Sequence, residues 1–305
     1  MQYAPIVIFA FNRLDTLRTM VSSLLKNAEA SKSDLYVFVD GARPYKKGES
    51  EDVTRVREYV KSIKGFRHLY FVFSDSNKGL GLSVITGVTD VINQYGKVIV
   101  LEDDLELSEN FLSYMNQGLD YYKDYNDVFS VCGWGPAIKR PLDYQYDYYV
   151  CVRSSSWGWG TWKEQWNSVD WALKDWDQVR HNHKSFNKWG GSDCFGMLNG
   201  WRNGKNKSWA IRFVYAQFIQ KKVSVFPFIS MVDNRGFDGK GTNCPRYCRT
   251  KWIFQNMSEK HFVFPPTTVL NPVIYRRVMR NRTLYCRIKA KLINIYLNLM
   301  FKLNN

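Results

Sequence analysis

Apolar and polar positions alternate along the N-terminal third of the chain in two distinct periods. Ile6-Val7-Ile8-Phe9-Ala10 is a continuous apolar run, as expected for a strand buried on both faces. From Leu14 to Lys26 the apolar residues Leu14, Leu17, Val21, Leu24 and Leu25 fall at helical spacing. The alternation then repeats. Leu35–Val39 reads as a strand, Val53–Ile63 as a helix, Leu69–Phe73 as a strand, Leu80–Tyr95 as a helix and Val98–Leu101 as a strand. Strands separated by helices require crossover connections, so the pattern predicts a mostly parallel sheet.

Polar residues gather where these strands end: Asn12 and Arg13, Asp40 and Gly41, Ser74 to Asn77, and Glu102-Asp103-Asp104. In open α/β sheets the ligand crevice lies outside the carboxyl ends of the strands. Any strand must end in something polar, but an acidic triplet is more than a turn needs. Beyond residue 105 the pattern changes. Ser108–Tyr122 reads as a helix with Ser108 as its N-cap, and Val128–Cys132 as a strand. Residues 133–204 read as loop-rich. Trp209–Lys221 is helical, and Ser224–Met231 is a strand interrupted by Pro227. The expected organisation is a nucleotide-binding half over 1–105, an acceptor and catalytic half over 106–275, and a basic tail over 276–305.

The length of 305 residues accommodates a sizeable core, and 45% apolar content is that of a globular chain. The net charge of +15 favours a polyanionic partner: nucleic acid, an anionic bilayer surface or a phosphorylated substrate. No nucleic-acid motif accompanies that charge, so nucleic acid is not expected. The six cysteines form no CxxC pair, which argues against structural zinc and fits a reducing compartment. The N-terminal apolar run is too short for a signal peptide and no stretch is long enough to span a bilayer, so a cytoplasmic body is expected. His181, His183 and His261 have no evident ligand partners in sequence.

Three carboxylates leaving an apolar strand repel each other and lose hydration. A divalent cation, Mg²⁺ or Mn²⁺, relieves both, taking one or two carboxylates plus the oxygens of a diphosphate. The alternative is a solvated acidic turn. The segment resembles the DXD-type motif of GT-A fold glycosyltransferases. Its Glu-Asp-Asp form followed by Leu105 to Phe111 is similar to N-acetylglucosaminyltransferase I and related bacterial polysaccharide transferases. The resemblance extends to Phe11-Asn12-Arg13, to Val39-Asp40-Gly41-Ala42, to Ser155–Trp162 and to Gly236–Cys244, and covers most of residues 1 to about 270.

The resemblance implies a fold and a set of roles. The fold is α/β of GT-A type, a Rossmann-like, mostly parallel central sheet with a loop-rich acceptor half and a C-terminal amphipathic helix. Asp104 would bind the metal, and Glu102 and Asp103 would face the donor's ribose and sugar. Arg13 would contact the diphosphate, Asp40 the base, and Thr242 a phosphate from a glycine-hinged lid. Asp40 reads equally well as a turn residue before Gly41. An inverting transferase also needs a general base. Asp193, in Gly190-Gly191-Ser192-Asp193-Cys194, is the best match, with Asp170 and Asp177 as rivals. Trp157 and Trp159 read either as a sugar-stacking wall or as core.

Leu284, Ile288, Leu292, Ile295 and Leu299 recur at helical spacing among Arg287, Lys289, Lys291 and Lys302, after Arg276, Arg277, Arg280 and Arg282. This is a basic amphipathic helix, suited to an anionic membrane surface or to packing on the body or on a second subunit. The expectation is thus an inverting, Mn²⁺- or Mg²⁺-dependent transferase using a UDP-sugar. Its acceptor is a glycan or lipid-linked oligosaccharide in bacterial surface polysaccharide synthesis, and it is peripheral at the inner face of the plasma membrane. The rivals are a sugar nucleotidyltransferase, which would usually carry a Gly-rich loop after the first strand, and a non-enzymatic polyanion-binding protein.

Overall fold

The structure is a computed structural model that describes residues 2–237, 246–258 and 261–303. It is mixed α/β. In the N-terminal part, β1 (Ile6–Ala10), α1 (Leu14–Leu25), β2 (Asp34–Val39), α2 (Glu49–Ser62), β3 (His68–Phe73), α3 (Leu80–Tyr95) and β4 (Lys97–Glu102) follow the predicted alternation. Every residue of β1 is buried because the strand has a core on each side: Ile6, Ile8 and Ala10 face one, Val7 and Phe9 the other.

The second half adds β5 (Leu105–Leu107), α4 (Phe111–Tyr121), β6 (Val128–Cys132), β7 (Tyr148–Cys151) and β8 (Trp159–Trp162). Next come α5 (Lys163–Asn167), α6 (Trp176–His181), α7 (His183–Gly190), α8 (Cys194–Arg202) and α9 (Ala210–Ile219). The chain then forms β9 (Val223–Pro227), β10 (Val232–Asn234), α10 (Pro272–Arg280) and α11 (Leu284–Leu303). The eight-stranded sheet has the order β3-β2-β1-β4-β8-β6-β9-β7, and β10 pairs with β5 in a separate ribbon. Strands β1 to β4 are mutually parallel, and β7 and β8 run against their neighbours. The sheet is therefore mostly parallel, as the alternation predicts. Its strands come from both sides of residue 105, so the two expected halves contribute to one sheet.

Helices α1, α2 and α4 cover one face with Leu17, Val56 and Phe111, while α3 and α9 cover the other with Val88 and Phe213. Residues 133–204 are loop-rich around short elements, as expected: they contribute β7, β8 and four short helices. Their apolar residues pack from several directions, which erases a simple period. Two local expectations, at Ser108 and Pro227, need correction. Ser108 does not cap α4. Asn110 occupies that position, and the Ser108 hydroxyl donates to Asn110 Oδ1 at 2.7 Å. Pro227 ends β9 rather than interrupting it, and the chain resumes as β10.

Candidate active site

The four strand ends singled out by the sequence interlock. Asp40 accepts hydrogen bonds from the backbone N–H of Gly41, Lys78 and Gly79 at 2.9, 2.8 and 2.8 Å, which ties the end of β2 to the loop after β3. Asn77 donates to the Gly41 carbonyl at 2.8 Å. A Cβ at Gly41 would lie 2.5 Å from the Ser76 backbone, so only glycine permits this approach. Glu49 joins the end of β1 to the 43–49 turn, accepting from Asn12 at 3.3 Å and from the Arg43 backbone at 2.8 Å. Asp40 therefore acts first as the clasp of the loop system, because both its oxygens already serve backbone donors.

The acidic triplet sits at the centre of this crevice. Asp103 accepts from the Phe11 N–H at 3.3 Å. Arg13, just before α1, places Nη1 3.7 Å from Asp104 Oδ2, with the two side chains 21% and 11% exposed. The structure thus unites two predicted site residues 91 positions apart in the chain. Beside them a cleft of about 320 Å³ is lined by Asn12, Arg13, Leu14, Asp15, Thr16, Asp52 and Arg55. A second cavity of about 330 Å³, lined by Tyr122 to Asn126 and Trp162, lies at the opposite ends of the strands, away from the acids.

Burial, with the charges of Asp104 and Asp103, pushes Glu102 up to about 8. Burial and Asp104 raise Asp103 to about 7, against the pull of the Phe11 N–H and Arg13. Adjacent carboxylates that resist ionisation together are a charge-deficient oxygen donor set. Among the described residues no group of three or more His, Cys, Asp or Glu side chains forms a ready-made cage. The triplet instead suits a hard cation that takes a carboxylate or two and completes its shell from phosphate oxygens.

Sequence reasoning missed the partner ribbon. The antiparallel pairing of β10 with β5 brings Arg235 N–H within 2.8 Å of the Asp104 carbonyl. A Cβ on Gly236 would fall 2.2 Å from Asp104 Oδ2, so this glycine lets the chain fold over the carboxylate. Gly236, the first glycine of the Gly236–Cys244 segment, is the sequence signal for this approach. Thr242 lies outside the described residues.

The tryptophans gather in a cluster composed differently from the expected wall. Trp159, the first residue of β8, is 1% exposed and stacks on Trp166 and Trp209 at 5.7 and 5.0 Å. It is core, and its expected role in sugar stacking is corrected accordingly. Trp157 is half-buried and meets Trp134, Trp252 and Phe237 edge-on at 5.0, 5.4 and 5.6 Å. Trp252 Nε1 donates to Asp233 Oδ1 at 2.8 Å, fixing the wall to β10. Trp134 and Trp252 were not among the sequence candidates.

Asp193 is not poised as a base. Arg153 grips it with two bonds of 2.7 and 3.0 Å, and Arg249 adds one of 2.7 Å. Burial works against its charge, but the two guanidiniums outweigh it and hold the carboxyl well below the usual carboxylate range. A carboxylate so stabilised accepts a proton poorly. Its two rivals are no better placed, since Asp170 accepts from the backbone N–H groups of Ala172 and Lys174 and Asp177 pairs with Arg180.

No family profile matches the chain. The Arabidopsis thaliana alpha-1,3-mannosyl-glycoprotein 2-beta-N-acetylglucosaminyltransferase is 24% identical over 204 residues, which is 60% of this chain and 44% of that protein. The chain therefore spans less than half the length of this curated relative. Among solved structures, the mannosyltransferase PcManGT of Pyrobaculum calidifontis, in complex with GDP-Man and Mn²⁺, is 13% identical. It covers 53% of this chain and 46% of its own, with a TM-score of 0.34. S. aureus TarS is 11% identical over 48% of this chain and 24% of its own, with a TM-score of 0.31. Both structural likenesses are partial. The resemblance to N-acetylglucosaminyltransferase I that the motifs suggest is met by the plant relative.

Proposed function

We propose that this chain is a GT-A-type glycosyltransferase that draws a sugar from a nucleotide donor and delivers it, with inversion, to a glycan or lipid-linked acceptor. The observation that carries this reading is the juxtaposition of Arg13 and Asp104 at the carboxyl ends of β1 and β4. A guanidinium beside a carboxylate in a crevice is a place for a diphosphate and the cation that travels with it. The donor is proposed to be a UDP-sugar and the cation Mn²⁺ or Mg²⁺. Bound at Asp104, the cation would supply Lewis-acid stabilisation of the leaving diphosphate.

The chain's own residues would do the rest. Arg13 holds the diphosphate, and Glu102 and Asp103 face the ribose and sugar. Asp40 shapes the base end through the loops it clasps, and Trp157 offers its half-buried ring to the transferred or accepting sugar. Asp193 anchors the acceptor side rather than taking the proton. The context proposed is bacterial surface polysaccharide synthesis at a membrane face. Among the described residues no helix is long and apolar enough to cross a membrane. Helix α11 exposes Leu284, Ile288, Leu292, Ile295 and Leu299 by 48–62%, beside exposed Lys289 and Lys291. That surface suits an anionic bilayer interface.

Thermal shift with UDP and GDP, with and without Mn²⁺, tests the donor end. The expected result is a cation-dependent rise in Tm with UDP. Asp104→Ala should remove that rise and lower sugar transfer by roughly 100-fold or more. Full cation-dependent transfer by the variant would defeat the reading.

A further inference from the structure

The carboxylate of Asp193 does not balance the positive charge around it. Arg153 and Arg249 already share it, from the segment after β7 and from the chain beyond β10. A third guanidinium, Arg282, enters from the link between α10 and α11 and donates to the Val152 carbonyl at 3.2 Å. Among the described residues no acidic side chain pairs with Arg282. Burial and the neighbouring Arg153 both disfavour its charge. Arg287 stands one turn further on, with Nη1 2.8 Å from the Ser192 carbonyl. The thiols beside the cluster give no relief: burial pushes Cys151 and Cys194 up, so both are neutral near pH 7.

The cluster is built rather than incidental. Gly191 has φ +124°, and a Cβ there would lie 2.9 Å from both Arg153 Nη1 and Arg282 Cβ. Ser192 donates from its backbone N–H and its hydroxyl to the Arg282 carbonyl, at 3.0 and 3.1 Å, fixing the turn against the helix link. The side chains of Arg153 and Arg249 remain 15% and 24% exposed, so solutes can reach them. The position is also informative. Arg249 lies three residues before Trp252 of the aromatic wall, and Arg282 two residues before α11. From His261 to the C-terminus the chain carries no Asp or Glu.

We propose that Arg153, Arg249 and Arg282 form an anion site that receives a phosphate or diphosphate group of the acceptor, between the aromatic wall and α11. Guanidinium forks match phosphate oxygens in pairs, and three of them against one carboxylate leave two positive charges to neutralise. A phosphate ester carries about that charge. The word acceptor rests on the transferase reading above; the anion site stands on the cluster itself.

The test is calorimetric titration of the full chain with inorganic pyrophosphate, without divalent cation and at low salt. Wild type should bind, and Arg13→Gln, which weakens the donor side, should still bind. Arg282→Gln should lose about tenfold or more in affinity while keeping Mn²⁺-dependent UDP binding. Asp193→Asn removes the competing carboxylate and should bind pyrophosphate more tightly; a purely structural staple gives no such gain. If Arg282→Gln fails to fold, Arg282→Lys decides, with a measurable loss expected from the altered fork. Equal affinities in wild type, Arg282→Gln and Arg282→Lys would overturn the proposal, as would loss of all pyrophosphate binding in Arg13→Gln. Absence of UDP binding in wild type defeats the donor reading and leaves the arginine site to its own result. Flotation with phosphatidylcholine vesicles, with and without phosphatidic acid, identifies the source. Competition by pyrophosphate assigns the site to a lipid-borne phosphate; flotation that pyrophosphate does not displace is that of α11 alone and leaves a phosphate on the glycan as the source.

Discussion

At the residue scale, the site is governed by close approach. Gly236 packs against Asp104 so tightly that one methyl group would strike Oδ2 at 2.2 Å and Asn234 Oδ1 at 2.9 Å. The backbone N–H of Gly236 also donates to that same Asn234 oxygen at 2.8 Å. Gly236→Ala should therefore leave the fold intact by circular dichroism and displace the carboxylate. Cation-dependent UDP binding should fall by roughly 10–100-fold, since misplacement by about 1 Å has effects of that order. Binding at wild-type strength would show that Asp104 is not the donor-side ligand. Arg13 and Asp104 illustrate the same point from the other side. Each residue type suits its task in isolation, but the 3.7 Å between them exists only because β1 and β4 are neighbours in register.

At the element scale, α11 differs from every other helix. It begins two residues beyond Arg282 and is held to the body by few bonds, among them Asn294, which accepts from the Tyr247 N–H at 2.9 Å and donates to its carbonyl at 3.0 Å. Its outward face is apolar, with Tyr285 72% and Tyr296 61% exposed. Replacing Ile288 and Leu292 together by Glu should abolish co-sedimentation with anionic vesicles while leaving UDP binding unchanged. In wild type the same co-sedimentation should weaken as NaCl rises, because exposed charges are screened over about 10 Å at 0.1 M. Retention of vesicle binding by the double variant would point to a different surface. Helix α3 is the contrast, since its apolar stripe of Val84, Val88, Val91 and Ile92 is wholly buried against the sheet.

At the scale of the whole molecule, charge placement links stability to pH. Asp34 is held well below the carboxylate range first by the fork of Arg67, opposed by burial and assisted by Tyr95 and His68. Asp193 is held down likewise, by Arg153 and Arg249 against burial. A carboxyl group whose folded pKa is depressed contributes stability that is present above its unfolded value, about 3.9, and lost as the pH falls below it. The gap in Tm between wild type and either Asp34→Asn or Asp193→Asn should accordingly be widest near neutral pH and narrow below about pH 4. A gap that stays constant on acidification would contradict the assignment. The two carboxylates brace distant parts of the molecule, the β2–β3 edge and the base of α11.

The sequence by itself determined the N-terminal sheet, the four strand ends and the acidic triplet, because a strand buried on both faces writes an unbroken apolar run and a crossover helix writes its own period. It also marked Arg13 and Gly236, since residue type alone restricts what those positions can do. Only the tertiary structure decided which tryptophans stay half-buried and which are core. Trp157 and Trp159 are two residues apart, a spacing that shares one face of a strand, yet Gly158 between them has φ +60°, and that turn before β8 sends one toward the wall and the other into the core. Only the tertiary structure, too, removed Asp193 from the role of base. Its partners Arg153 and Arg249 lie 40 and 56 residues away, and the basicity of a carboxylate depends on neighbours that no local pattern records.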